Sequence, residues 1–164
     1  MTLHTPSTDA PLARRLLQLG IALFLLGLLT GFLLPMMANP RVGLSSHLEG
    51  VLNGMFLLAL GLMWPQLSLG TGARKAAFGF AVYGTYANWL ATLLAGFWGA
   101  GGRMMPIAAG GHAGTAAQEG LIAFALISLS LSMLVVGALA LWGLRSAPAR
   151  RNTDAPAAGP QPAA

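Results

Sequence analysis

The segment LLQLGIALFLLGLLTGFLLPMM, residues 16–37, decides the fold class because it contains no charged residue. A transmembrane helix needs about 20 predominantly apolar residues, and this segment is long enough. Arg14 and Arg15 precede it, as basic residues precede the core of a signal peptide. However, the apolar run exceeds the about 7–15 residues of such a core, and no A-x-A cleavage site follows. We therefore interpret it as a retained transmembrane helix.

The remainder of the chain repeats this pattern. With 55% hydrophobic and only 8% charged residues, the 164-residue chain has too few polar side chains to cover a water-soluble globule. The sequence predicts an all-α integral membrane protein with a four-helix transmembrane bundle over residues 16–145. The four predicted spans are residues 16–37, 48–69, 76–98 and 120–144. The flanking regions, residues 1–15 and 146–164, are predicted to be a flexible N-terminal segment and a disordered C-terminal tail.

Lysine and arginine residues indicate the orientation. Four spans place both termini and the middle turn on one side, and seven of the nine basic residues lie there. By the positive-inside rule, we expect both termini to be cytoplasmic and the protein to lie in the inner membrane. The basic residues form no face with stacking aromatics, so nucleic-acid binding is not expected. The absence of Cys excludes disulfides, thiolate-bound metals and a cysteine nucleophile.

Several polar residues lie within or at the edges of the predicted second and third spans. They are His47, Glu49, Asn53, Tyr86, Asn88 and Thr92. A buried amide costs several kcal/mol unless it is paired, so both asparagines are expected to face the bundle interior or a cavity. They either belong to a site or hold helices together through backbone carbonyls.

The turn between the second and third spans predicts which of these residues lie at the same depth. If residues 70–75 form the turn, Asn53 lies level with Thr92 and His47 lies level with Trp98. Asn88 then lies about 6 Å deeper than Thr92, at 1.5 Å per residue. The sequence therefore predicts one polar column entered from the outer side.

The pattern around His47 predicts a binding surface on the second span. On a helical wheel, Gly50 and Gly54 fall between His47 and Asn53, and this bare strip leaves room for a flat group. Glu49 and Asn53, four residues apart, are expected to face the same cavity, although Glu49 is alternatively a first-turn acid. A single imidazole suits a haem with one open face, but a lone histidine at a helix end is more often a capping residue. Pairs of glycines, Gly27/Gly31 and Gly50/Gly54, predict close helix packing.

The run NPRVGLSSHLEGVLNGMF, residues 39–56, together with LFLLGLLTGF, residues 23–32, resembles the hydroxylaminobenzene mutases. More distantly, the His-x5-Asn-Gly pattern and the YANW motif at residues 86–89 resemble the membrane-bound styrene oxide isomerases. The resemblance implies a homotrimer with ferric haem b at its subunit interfaces, His47 as the axial ligand and Asn53 at the substrate. The isomerases have a tyrosine where this chain has Thr92, so Thr92, Tyr86 and Asn88 are the candidates to orient substrate.

The reaction implied by this resemblance converts aryl hydroxylamines to 2-aminophenols. Glu49 is the residue that we expect to shuttle a proton in it. The partners would be a small aromatic hydroxylamine and the lipid bilayer. Three alternatives stay open at the level of sequence. The chain could be an aromatic-amine transporter with Glu49 and Glu119 as coupling carboxylates, a haem-binding electron carrier, or an epoxide isomerase.

Overall fold

The structure, a computed structural model, describes residues 9–145. Its helices are α1 (Asp9–Leu33), α2 (Pro40–Met63), α3 (Thr71–Trp98), the single-turn α4 (Pro106–Ala109) and α5 (Ala116–Arg145). Short 3-10 helices follow α1 at Leu34–Met36 and α2 at Trp64–Gln66. No strand occurs in this part of the chain. The all-helical prediction is therefore confirmed, whereas residues 1–8 and the predicted tail over residues 146–164 lie outside the described residues.

Three of the helical segments are long and apolar enough to cross a membrane. They are Ala10–Met36, Pro40–Gln66 and Ala116–Arg145, with mean hydropathies of 2.3, 1.4 and 2.4. The prediction of a multi-pass membrane protein is confirmed at this level. Helix α3 is 28 residues long but does not reach the same hydropathy, because tyrosines, threonines, glycines and Asn88 interrupt its apolar residues. A fourth span therefore stays a prediction, as does the orientation of the termini.

The first two helices begin about two turns earlier than predicted. Helix α1 begins at Asp9, so residues 9–15 are helical, and Pro11 lies in the first turn where its missing N–H removes no bond. Helix α2 begins at Pro40, not at residue 48. The Asn39 side chain caps it by accepting hydrogen bonds from the backbone N–H groups of Arg41 and Val42 at 3.1 and 3.3 Å. Hydropathy located the lipid-facing stretch, whereas the cap determines where the helix begins.

Glycines bring α1 and α2 into backbone contact. A Cβ placed on Gly50 would lie 2.4 Å from the Gly27 Cα, and one on Gly54 would lie 2.6 Å from the Phe24 nitrogen. Without a hydrophobic drive between helices in lipid, such close approach gains dispersion contacts over the whole ridge. The predicted close packing of these two helices is confirmed.

The predicted depth register between α2 and α3 is wrong. The Asn88 amide of α3 contacts Glu49 of α2, whereas the predicted turn would place Gly96 beside Glu49. This difference of eight residues corresponds to about 12 Å along the helix. The cause lies in the turn: Pro65 ends the regular helix near Met63, and α3 already begins at Thr71.

Helix α3 packs against both α2 and α5, while α1 packs mainly against α2. The largest fully buried side chain is Trp64, which lies among Leu16, Leu57 and Leu60. This arrangement makes α2 the central helix beside which the candidate site residues lie.

Candidate functional site

His47 lies inside α2, two turns after its first residue, so it is neither a capping residue nor at a helix end. Its ring Nδ1 donates a hydrogen bond to the backbone carbonyl of Gly27 in α1 at 2.8 Å. The absence of a side chain at Gly31 permits this approach, because a Cβ there would lie 3.1 Å from Nδ1. The hydrogen bond fixes the tautomer with the proton on Nδ1. The Nε2 atom has no hydrogen-bond partner within residues 9–145 and is available as a ligand.

Glu49 is the centre of a polar cluster between α2 and α3. Its Oε2 accepts hydrogen bonds from the Asn53 amide at 3.1 Å and from the Asn88 amide at 2.6 Å. All three side chains are partly buried. Because α2 begins at Pro40, the alternative that Glu49 is a first-turn acid is wrong. We refer to these three residues as the Glu49 cluster.

The Glu49 cluster changes the position expected for Asn88. The sequence register placed Asn88 deeper in the membrane than the residues beside Asn53, but the two amides share one carboxylate oxygen. Neither asparagine uses its amide hydrogens on a backbone carbonyl, so the structure gives no support to helix bonding through carbonyls as their role. Both are placed to orient Glu49.

Two of the candidate substrate-orienting residues lie apart from this cluster. The Thr92 side chain is 3% exposed, and its hydroxyl donates to the Asn88 backbone carbonyl at 2.8 Å within α3. The Tyr86 hydroxyl donates to the Leu19 carbonyl of α1 at 2.9 Å. Both hydroxyls are thus engaged by the backbone, but only the Tyr86 bond joins two helices, because the Thr92 bond lies within α3.

Gly50 and Gly54 do not form an open strip beside His47. Helix α1 covers both residues, with Gly27 against Gly50 and Phe24 against Gly54. The prediction that these glycines hold a cofactor is therefore wrong. The reason is that α1 uses the same bare backbone for its own approach to α2.

His47 and Glu49 lie on opposite edges of an exposed apolar face of α2. At about 100° per residue, the arc from His47 to Glu49 that carries this exposed face spans about 200° of the helical wheel. Consistently, His47 bonds to α1 and Glu49 bonds to α3. Exposed side chains between them on the wheel include Leu44, Leu48 and Leu52, together with Arg41 near the start of the helix. One protomer therefore does not bring the imidazole and the carboxylate into one cavity, and the predicted single column is wrong.

Two residues that support the site, Trp89 and Thr30, were not predicted from the sequence. The Trp89 indole N–H donates to the Thr30 hydroxyl of α1 at 3.0 Å, and the Trp89 carbonyl accepts from Ser46 of α2. A Cβ on Gly50 would lie 2.9 Å from the Trp89 ring, so this ring fills the space left by that glycine. A polar Thr30 inside an otherwise apolar helix was the available signal, because such a hydroxyl needs a partner in lipid.

Known proteins resemble the chain over most of its length. The family model described as styrene oxide isomerase matches residues 12–145. Hydroxylaminobenzene mutase HabB of Ectopseudomonas oleovorans is 99% identical over 164 residues, which cover all of both chains. Hydroxylaminobenzene mutase HabA of the same organism is 46% identical over 125 residues, which cover 76% of this chain and 93% of that protein. No solved structure matches the chain.

These similarities confirm the resemblance carried by residues 23–56 and the prediction of an enzyme of the isomerase class. The match of the family model extends from the first helix to the end of the last described helix. It therefore includes His47, the Glu49 cluster and the helices that position them. The chain belongs to the styrene oxide isomerase family.

Proposed function

We propose that the chain converts aryl hydroxylamines, of which hydroxylaminobenzene is the simplest, to 2-aminophenols in a pocket within the membrane. One observation carries the proposal: the Glu49 carboxylate is fixed by two amides between apolar helices, where a proton carrier is sheltered from bulk water. The two similar mutases are named for the same substrate.

This reaction is an isomerisation without net redox change. The N–O bond breaks, and a C–O bond forms at the ring carbon ortho to nitrogen. The hydrogen on that carbon leaves as a proton, and the nitrogen gains one proton to become an amine. One proton therefore moves from carbon to nitrogen, which is work that one positioned carboxylate performs. Shelter from water matters because water attacking the ring favours the para product.

Glu49 carries this proton in the proposed mechanism. Its Oε2 is held by the Asn53 and Asn88 amides, whereas its Oε1 has no hydrogen-bond partner within residues 9–145. Oε1 accepts the proton from the ortho carbon and returns it to nitrogen. The Asn53 amide oxygen, which no described residue engages, orients the polar head of the substrate. Asn88 fixes the carboxylate from the opposite helix.

The residues around His47 fit a haem b. Among residues 9–145, no three His, Asp or Glu side chains cluster as a metal site, but a haem needs only one axial ligand. A backbone carbonyl that accepts the Nδ1 proton, as Gly27 does here, is the usual second partner of an imidazole that ligates metal through Nε2. When bound, ferric haem supplies a Lewis acid for N–O cleavage.

Assembly as a homotrimer completes the site in this proposal. His47 and Glu49 flank the exposed leucines of α2, and burying this apolar face between copies brings the His47 edge of one copy to the Glu49 edge of the next. His47 would then hold a haem b at each subunit interface. The trimer lies in the inner membrane with cytoplasmic termini, and the amphiphilic aromatic substrate reaches it from the bilayer or its surface.

Structural observations disfavour two of the alternatives. We call residues 99–115, which join α3 to α5, the outer loop, because the predicted orientation places them outside. Glu119 accepts hydrogen bonds from four backbone N–H groups of this loop, so it is committed to the loop and is not a coupling carboxylate of a transporter. At the position of the isomerase tyrosine, the Thr92 hydroxyl is buried and engaged by its own helix. This difference favours the hydroxylamine reaction over epoxide isomerisation.

The test is His47→Ala in the purified, haem-loaded protein. We expect the variant to lose both the Soret absorbance and 2-aminophenol formation, because this imidazole is the proposed axial ligand. A matched control is His112→Ala, since His112 lies exposed in the outer loop with its ring bonded to the Ala109 carbonyl. A coloured and active His47→Ala variant would overturn the cofactor assignment. A wild-type protein that forms no 2-aminophenol would overturn the function.

A further inference from the structure

A cavity of about 490 Å³ lies between the first turns of α2 and the outer loop. Arg41, Leu44 and Ser45 form its α2 wall, and the segment from Met104 to Ala108 forms the opposite wall. The cavity size is within the about 300–1,000 Å³ typical of small-molecule sites. Its lining is mainly apolar with one cationic and one hydroxyl group, which suits a small aromatic molecule with a polar head.

The α2 wall of the cavity ends at Ser45, one helical turn before the Glu49 cluster on the same side of the helix. Arg41, Ser45, Glu49 and Asn53 follow one another at intervals of four residues, so they form a continuous polar stripe that begins at the cavity. Ser45 lies about one helical turn from Glu49, about 6 Å along the helix axis. Leu44 similarly lies one turn from Leu48 on the exposed face. The cavity is therefore the outer end of the surface that the proposed function places at the subunit interface.

The loop wall of the cavity is held by side chains from both ends. The Asn39 amide, which is buried, donates to the Ala109 carbonyl at 2.9 Å. At the other end, the Glu119 carboxylate accepts hydrogen bonds from the backbone N–H groups of Gly101 and Gly114 at 2.9 and 3.0 Å. It also accepts hydrogen bonds from two further backbone N–H groups of the loop. Met105 and Ala108 of this wall pack against the core cluster that contains Val42 of α2, whereas Ile107 is exposed, so the fixed loop stands beside an open cavity.

We propose that this cavity is the entrance through which a neutral aromatic hydroxylamine reaches the Glu49 cluster from the outer side. Arg41 at the cavity repels protonated amines, whereas an aryl hydroxylamine is a weak base and enters uncharged. The aromatic ring packs against the methionine and isoleucine side chains of the loop wall, and the hydroxylamine follows Ser45 toward Glu49. The inference rests on the proposed function for the identity of the substrate.

Single cysteines test the entrance, because the chain contains no cysteine of its own. Ile107→Cys places a thiol on the loop wall at a residue that is 85% exposed, and Ser45→Cys places one on the helix wall. Ala113→Cys is the matched control, exposed in the same loop but outside the cavity. Each variant is assayed before and after modification with a bulky maleimide, so its own unmodified form is the reference.

Modification at Ile107→Cys or Ser45→Cys is expected to lower kcat/KM for hydroxylaminobenzene by about tenfold or more, with no effect at Ala113→Cys. The product 2-aminophenol, added as a probe, is expected to slow labelling at the two cavity positions only. If both cavity variants keep full turnover after complete labelling, and 2-aminophenol does not slow their labelling, the proposal that this cavity is the entrance is overturned. If one variant fails to fold, the other decides. Failure of the unmodified wild type to form 2-aminophenol overturns the proposed function instead, so the two failures are distinguishable.

Discussion

Replacing Gly50 with alanine tests whether contact between α1 and α2 sets the geometry at His47. The new Cβ would lie 2.4 Å from the Gly27 Cα and 2.9 Å from the Trp89 ring. Carbon atoms in contact normally lie about 3.5–4.0 Å apart, so α1 must move away by about 1 Å. The same movement lengthens the hydrogen bond from His47 Nδ1 to the Gly27 carbonyl from 2.8 Å to about 3.8 Å, beyond hydrogen-bonding distance.

Stability and activity should respond differently to this change. Overpacking costs about 1–3 kcal/mol, whereas alanine is about 0.8–1 kcal/mol more favourable than glycine in a helix, so the net loss of stability is at most about 2 kcal/mol. A misplacement of about 1 Å in a site costs about 10²-fold in rate. We therefore expect Gly50→Ala to lose haem and about 10²-fold in 2-aminophenol formation with a modest decrease in melting temperature.

Gly137→Ala is the matched control, because no atom lies within 4 Å of the added Cβ in α5. It should keep full activity and equal or exceed the wild-type melting temperature. Both variants are compared in detergent by thermal unfolding, Soret absorbance and product formation. If Gly50→Ala equals Gly137→Ala in all three measurements, helix contact does not control the His47 geometry and the reasoning is refuted.

Three further predictions follow from the other parts of the molecule. Asn53→Ala and Asn88→Ala should each lower turnover by about 10²-fold with little change in melting temperature; a loss of about 0.6 kcal/mol of stability with turnover spared would instead show that the hydrogen bond, within α2 for Asn53 and between α3 and α2 for Asn88, is purely structural. A reporter fused to the C-terminus should be active in the cytoplasm and one inserted near Gly110 should be active outside; the opposite pair of signals would contradict the predicted orientation. Glu119→Ala should speed proteolysis of the outer loop, because four backbone N–H groups lose their acceptor; an unchanged cleavage rate would show that the loop does not depend on this carboxylate.

The amino-acid sequence determined the fold class and the family. Long apolar runs predict transmembrane helices because each residue placed in lipid contributes its own free-energy cost, whatever the rest of the chain does. The motif around His47 and Asn53 likewise lies within one short segment, so no tertiary information was needed to recognise it. The pairing of Glu49 with Asn53 was also accessible, since residues four apart share a helix face.

Only the tertiary structure decided how these residues meet. Glu49 contacts Asn88 because Pro65 ends α2 early and α3 begins at Thr71, and hydropathy does not register such ends. Gly50 appeared free to hold a cofactor because a helical wheel shows one helix without its neighbours; α1 covers it in the bundle. The depth of a residue in the membrane, its burial by a neighbouring helix and the separation of His47 from Glu49 all depend on where helices end and which helix packs on which face. These are properties of contacts between distant segments, and no local pattern in the sequence contains them.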